Sequence, residues 1–278
     1  MYVPKIPYPN PEAGPKLAQA LHQTGFAVFQ NSPIPRDLIT QTYQEWQQFF
    51  ASDQKHQYVF DPSQQSGYFP FQTEQAKDYH QPDLKEFFHF YPQRTQLPAG
   101  ISDRSRQLCD RLTTLATELL GWIEMASPPA VQQQFQTPLR EMILESQETL
   151  LRPIHYPPLT GQESPGAIRA AAHEDVNLIT LLPAATATGL EVQDNQGQWH
   201  PILSDVGDLV INVGDMLAIA SGGYYRSTCH RVVNPVEPAA QSRFSMPLFL
   251  HPRPQVQLSE TTTAKDFLQA RLREIGLL

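Results

Sequence analysis

Residues 170–182 read Ala-Ala-Ala-His-Glu-Asp-Val-Asn-Leu-Ile-Thr-Leu-Leu. Two short apolar runs flank a polar His-Glu-Asp step, and neither run has the three-and-four spacing of an amphipathic helix. The reading is two strands, Ala167–Ala172 and Asn177–Leu182. Working outward, the same texture continues. Strands are predicted at Leu150–Tyr156, Leu190–Gln193, Leu209–Val213, Thr228–Val233 and Arg243–His251, punctuated by Gly, Pro and Asn. Short strands at this spacing predict an all-β sandwich or barrel.

Upstream of about Thr149 the pattern changes. Five prolines in the first fifteen residues predict an extended arm. Helical spacing follows at Lys16–Thr24, stopped by Gly25, and at Asp37–Ala51, where Leu38, Ile39, Tyr43, Trp46, Phe49 and Phe50 recur. Phe26–Phe29 and Glu86–Tyr91 read as strands. Leu108, Leu112, Leu115, Leu119 and Ile123 make one stripe along Arg104–Met125. Thr263–Ile275 reads as a final helix. The expectation is a mainly β chain with flanking helices. It comprises a helical, mixed N-terminal region (1–148) packed on a β core (149–255), and a C-terminal helix (256–278), without a flexible linker.

Composition narrows the function classes. The chain has 278 residues, long enough to bury about 70–75% of its unfolded surface. Net charge is −8, so there is no basic footprint for nucleic acid. No apolar run approaches the length that spans a bilayer. Two cysteines, Cys109 and Cys229, exclude a disulfide framework and a cysteine-rich zinc site. The N-terminus lacks an apolar signal segment, and a cytoplasmic location is expected.

Residues i and i+2 of a strand share a face, so His173 and Asp175 can converge on one cation. A third donor can come from His230, 55 residues after Asp175, with enough strands between to return beside the first. Two imidazoles and a carboxylate leave positions open. That suits non-haem Fe(II), which must bind a co-substrate and dioxygen together; closed tetrahedral zinc would need a fourth protein ligand. Arg243 and Ser245 also share a strand face, a planar fork and a hydroxyl suited to a carboxylate.

The order of these groups carries a resemblance. His173-Glu174-Asp175 is followed by Gly189-Leu190-Glu191-Val192, Trp199, Pro201 and Gly207–Asp215. Ser227-Thr228-Cys229-His230-Arg231-Val232 and Arg243-Phe244-Ser245 complete it. Upstream, Leu151–Pro158, Asp83-Leu84-Lys85-Glu86-Phe87 and Gly25-Phe26-Ala27-Val28 extend it over roughly residues 16–251. The series resembles the Fe(II)/2-oxoglutarate-dependent dioxygenases of the isopenicillin N synthase-like branch. It departs at Ile154-His155, where the family often has Asn-Tyr, and at Gly222-Gly223, where Asn-Gly is usual.

The resemblance implies a double-stranded β-helix (jelly-roll) core. It implies that His173, Asp175 and His230 hold Fe(II), and that Arg243 and Ser245 bind the far carboxylate of 2-oxoglutarate with Tyr156 supporting. Dioxygen would be consumed as a small-molecule substrate is hydroxylated, desaturated or cyclised, with release of succinate and carbon dioxide. Tyr68, Phe69, Phe71, Phe88 and Tyr224 are candidates for the substrate site, His89 and His155 for the pocket lining, and Arg152 for a co-substrate contact. His22, His56, His80, His200 and His251 read as bystanders, and Cys229 as packed away from the metal. Two alternatives stay open from sequence: an Fe(II) oxidase of this fold that needs no 2-oxoglutarate, and a non-catalytic ligand sensor.

Overall fold

The fold is seen in a computed structural model that describes residues 3–75, 81–235 and 241–274; His80 lies outside them. The strands are β1 (Lys5–Pro7), β2 (Phe26–Gln30), β3 (Gly67–Phe69), β4 (Glu86–His89), β5 (Leu150–Leu151), β6 (Ile154–Tyr156) and β7 (Ala170–His173). They continue as β8 (Ile179–Pro183), β9 (Leu190–Gln193), β10 (Trp199–Pro201), β11 (Leu209–Val213), β12 (His230–Val232), β13 (Arg243–Ser245) and β14 (Leu248–Leu250). The helices are α1 (Ala13–Thr24), α2 (Arg36–Ala51), α3 (Arg104–Ala126), α4 (Pro129–Gln132), α5 (Leu139–Met142), α6 (Asp215–Ala220) and α7 (Ala264–Glu274).

Three sheets form. The largest has the order β1-β2-β11-β8-β14-β5, and the others run β10-β9-β12-β7 and β13-β6-β4-β3. Residues of all three line one internal cavity. This is the jelly-roll core that the resemblance implies, open rather than closed into a barrel.

The period of two decides what faces that cavity. In β11, Leu209, Ile211 and Val213 pack toward the helices, while Val210 and Asn212 face inward. In β8, Ile179 and Leu181 go to the helices; Thr180 and Leu182 face the cavity. These strands are buried on both faces, which is why they read as continuous apolar runs. The leucine stripe of α3 is buried as expected, together with Cys109, Ala116 and Leu120. Burying each such side chain stabilises the fold by about 1.5–3 kcal/mol.

Several boundaries differ from the sequence reading. The proline-rich arm contains β1, which pairs in parallel with β2. The strand expected over Leu150–Tyr156 is two strands in different sheets, because Pro153 has no N–H to continue the ladder. Pro247 divides Arg243–His251 into β13 and β14 in the same way. β3, β10 and α6 have too little periodic sequence to be seen in advance. Gly25 ends α1 in the left-handed conformation (φ 71°), and a Cβ there would sit 2.1 Å from Thr228 Oγ1. Only glycine allows that close approach to the segment leading into β12.

Candidate active site

His173 ends β7 and His230 begins β12, and the two are directly opposite in an antiparallel register. Their ring centroids are 4.4 Å apart. Asp175 lies beyond the end of β7, so strand alternation is not what aims it. Its Oδ2 accepts hydrogen bonds from Thr180 Oγ1 (2.5 Å) and Asn212 Nδ2 (2.8 Å), leaving Oδ1 3.7 Å from His230 Nε2. Donor atoms of His173, Asp175 and His230 all lie within 4.8 Å of one another.

The loop after Asp175 is pinned from behind. Asp215 N–H donates to the Asp175 carbonyl (2.7 Å), and Gly214 N–H to Leu178 O (2.9 Å). Asn177 Nδ2 donates to Thr180 Oγ1 (2.9 Å), so a chain Asn177–Thr180–Asp175 sets the carboxylate. The imidazoles are set similarly: His173 Nδ1 lies 2.7 Å from Ala171 O and His230 Nδ1 3.1 Å from Thr228 O. A nitrogen facing a carbonyl must carry the proton, which leaves each Nε2 with a free lone pair.

The electrostatics agree with a donor set. Burial, reinforced by His230, pushes His173 down to about 4, so it is neutral at physiological pH. Burial alone would push Asp175 up. The two imidazoles and the hydrogen bonds from Thr180 and Asn212 outweigh it and hold the carboxyl below its usual range. Two imidazole nitrogens and one carboxylate oxygen fit a divalent ion with open positions, so these residues fit Fe(II).

The same cavity holds Tyr156, Arg243 and Ser245. Arg243 pairs in register with Tyr156, and Ser245 with Ile154, across β13 and β6. Arg243 is 2% exposed, its guanidinium carbon 4.9 Å from the Tyr156 ring centroid. Its Nε donates to Ala187 O (3.1 Å), but Nη1 is buried without an acceptor among the described residues. An unpaired buried donor costs about 1–3 kcal/mol. The arrangement is therefore built for a carboxylate that completes it.

The aromatic candidates behave differently. Tyr68 is buried and donates to Glu86; Phe69 stacks on Phe87 with centroids 4.4 Å apart; Phe88 packs on Trp46 and Phe49. Tyr224 stacks face to face on His22, at a separate cleft, and Phe71 is exposed. None of the five lines the cavity. Phe88 points away because it alternates with Phe87, and Tyr68 because its hydroxyl is spent on Glu86. His89 and His155 do not line it either, whereas Arg152 does. Sequence reasoning missed Thr180, Asn212 and Asn177. The signal for Thr180 and Asn212 was a lone polar residue inside each of two apolar strands, Ile-Thr-Leu-Leu and Leu-Val-Ile-Asn-Val; Asn177, before β8, had none.

Known proteins resemble this chain in sequence and in fold. Residues 147–252 match the 2OG-Fe(II) oxygenase superfamily, and residues 8–109 match the family described as non-haem dioxygenase in morphine synthesis N-terminal. A Shewanella oneidensis structure, described as that of an oxygenase, is 45% identical with a TM-score of 0.90, covering 100% of both chains. A Caulobacter crescentus structure, described as a 2OG-Fe(II) oxygenase family protein, is 30% identical with a TM-score of 0.79, covering 98% of both. The homoarginine-6-hydroxylase 2-ODD-C23.2 of Arabidopsis thaliana is 26% identical over 79% of this chain and 65% of its own length. The chain thus spans a little under two thirds of that curated relative, and 36% of another.

The chain belongs to the 2OG-Fe(II) oxygenase superfamily. Fe(II), 2-oxoglutarate and dioxygen are the cofactor and co-substrates of that class of dioxygenase. The family match does not favour the two alternatives left open by the sequence. Among the described residues no helix is long and apolar enough to cross a membrane.

Proposed function

We propose that this chain is a 2-oxoglutarate-dependent oxygenase of a small molecule, with His173, Asp175 and His230 as its Fe(II) ligands. Arg243 and Ser245 bind the far carboxylate of 2-oxoglutarate, with Tyr156 beside them. The observation that carries the reading is the unpaired, buried Nη1 of Arg243, in the same cavity as the three-donor cluster. Bound iron supplies the redox chemistry that couples dioxygen to decarboxylation of 2-oxoglutarate, giving succinate and carbon dioxide while the substrate is hydroxylated, desaturated or cyclised.

The protein's part is positional. Thr180 and Asn212 present Oδ1 of Asp175, and the two carbonyls present Nε2 of each imidazole. Leu182, Leu190 and Val232 line the cavity around the co-substrate and exclude water. Residues 149–255 form the catalytic core on this reading, residues 1–148 the packed flanking region and residues 256–278 the C-terminal segment, whose described part carries α7. Both described cysteines are free thiols, in keeping with a cytoplasmic location.

The test is anaerobic titration of 2-oxoglutarate into the Fe(II)-loaded protein, wild type beside Arg243→Ala. A visible charge-transfer band in wild type that weakens in the variant is expected. No band despite bound Fe(II) sinks the reading.

A further inference from the structure

Arg152 has no task in the site described so far. It lies on the same inward-facing row as Ile154 and Tyr156, and all three line the cavity. Its backbone N–H donates to Pro247 O (3.0 Å), so it continues the ladder that pairs Tyr156 with Arg243 and Ile154 with Ser245. Four residues separate it from Tyr156, about 13 Å of extended chain. It therefore lines the cavity away from the end that Arg243 marks.

Its surroundings are unusual for a structural arginine. The guanidinium carbon lies 4.9 Å from the Phe87 ring centroid and 5.2 Å from that of Phe249. Its one side-chain hydrogen bond among the described residues is long, Nη1 to Glu74 Oε1 at 3.4 Å. Nε is buried and has no acceptor. Glu74 is shared: its Oε1 forms that long ion pair with Arg152, and its Oε2 lies 2.5 Å from Lys85 Nζ. Of the five donors of a guanidinium, the Nε proton is thus without an acceptor and Nη1 is only weakly held among the described residues.

The platform beside it is close to the metal-ligand cluster. Phe249 pairs in register with Thr180, whose hydroxyl holds Asp175. Phe249 also lines the cavity, so its ring borders the space between Arg152 and the three donors.

We propose that Arg152 and Phe249 form the recognition site for the oxidised substrate, selecting a planar group that carries an oxygen acceptor. The planar group packs on Phe249. Its carboxylate or carbonyl oxygen takes the free donors of Arg152. The class is a cyclic or aromatic carboxylate or carboxamide, and the assignment rests on the reading that Arg243 holds 2-oxoglutarate at the other end. Arg152 is a specificity residue and is separate from the co-substrate anchor.

The experiment uses the full chain loaded anaerobically with Fe(II) and 2-oxoglutarate, and follows the visible band. The probes are benzoate, benzamide and, as a control without an acceptor, toluene. The proteins are wild type, Arg152→Gln and Arg152→Lys, the last keeping the charge but losing the planar fork. Benzoate or benzamide perturbs the wild-type band, and the Kd rises at least tenfold in Arg152→Gln. Toluene shows no such dependence, and the Kd for 2-oxoglutarate stays within twofold, which also reports that the variants fold. Binding of benzoate alone assigns a carboxylate, and equal binding of benzamide assigns a neutral carbonyl. Equal affinity of wild type and both variants for the probes overturns the proposal, as does failure of both oxygen-bearing probes to bind a wild-type protein that shows its band. Absence of the band in wild type overturns the parent reading, and this one with it.

Discussion

Two buried histidine–carboxylate clusters lie in this molecule, and one strand pair touches both. On the inner face of β6 and β13, Tyr156 and Arg243 look into the cavity that holds His173, Asp175 and His230. On the outer face, His155 Nδ1 is 2.6 Å from Glu86 Oε1 and its Nε2 is 2.8 Å from Ser242 Oγ. Phe244 stacks on the His155 ring at 4.5 Å. Glu86 also takes hydrogen bonds from Tyr68 and from Lys55 (2.9 Å). Burial pushes Glu86 up, but its bonds from His155, Tyr68 and Lys55 overcome that and hold the carboxyl below its usual range. The ingredients are alike; the valences are not. The outer cluster closes on itself, with every charged atom partnered. The inner one ends in free lone pairs and an unpaired guanidinium nitrogen, both turned toward one space. Chemistry is to be expected where a buried polar network is left incomplete, not wherever titratable residues gather.

The widest gap between the clusters should appear on removing a ligand. His230→Ala takes one of three donors and should lower Fe(II) affinity by more than the 10–100-fold typical of losing an outer partner. Metal content after gel filtration and 2-oxoglutarate turnover both check it. Retention of stoichiometric iron would break the comparison at its root. Next in size is the proposed co-substrate anchor. Arg243→Ala removes charge-assisted hydrogen bonds of about 1.5–3 kcal/mol each, so the Kd for 2-oxoglutarate should rise about 100-fold. Fe(II) affinity should be little changed, because Arg243 touches none of the three donors.

Thr180→Val is the sharper version of the first test. It keeps the shape and removes the hydroxyl that orients Asp175, so Fe(II) affinity should fall about 10-fold, measured by competition with a chelator. This residue also marks how much of the molecule could be read in advance. That His173, Asp175, His230, Arg243 and Ser245 share one cavity could be expected from their fixed order along the chain, which survives in one dimension, although Asp175 lies beyond β7 and is not aimed by strand alternation. The α3 stripe was legible because one helix carries its own periodicity. Thr180 and Asn212 were not, since their role depends on β8 and β11 lying side by side in register. Tyr68, Phe69 and Phe88 stay out of the cavity for a related reason. An aromatic run shows that rings will be buried, but which way each one points is set by the alternation of β3 and β4 and by the partner waiting on each face.

The smallest expected effect on the active site comes from the closed cluster, and it is the most informative. Glu86→Gln keeps the volume but removes the charge that holds Lys55, Tyr68 and His155 together. Breaking a buried pair by removing one partner costs about 3–5 kcal/mol. Lys55 is only partly buried and can find water, so a loss near 2–3 kcal/mol is expected here, read from chemical denaturation. Affinities for Fe(II) and 2-oxoglutarate should stay within twofold of wild type. The reason is directional. His155 and Phe244 alternate with Tyr156 and Arg243 along the same two strands, so a side-chain change on the outer face reaches the cavity only by moving backbone. The register of β6 against β13 is held by main-chain hydrogen bonds that the substitution leaves in place. Were 2-oxoglutarate affinity to fall tenfold instead, the two clusters would be one mechanical unit, with the outer network setting the pose of Arg243. The distinction between a closed structural cluster and an open chemical one would then have to be redrawn along that strand pair.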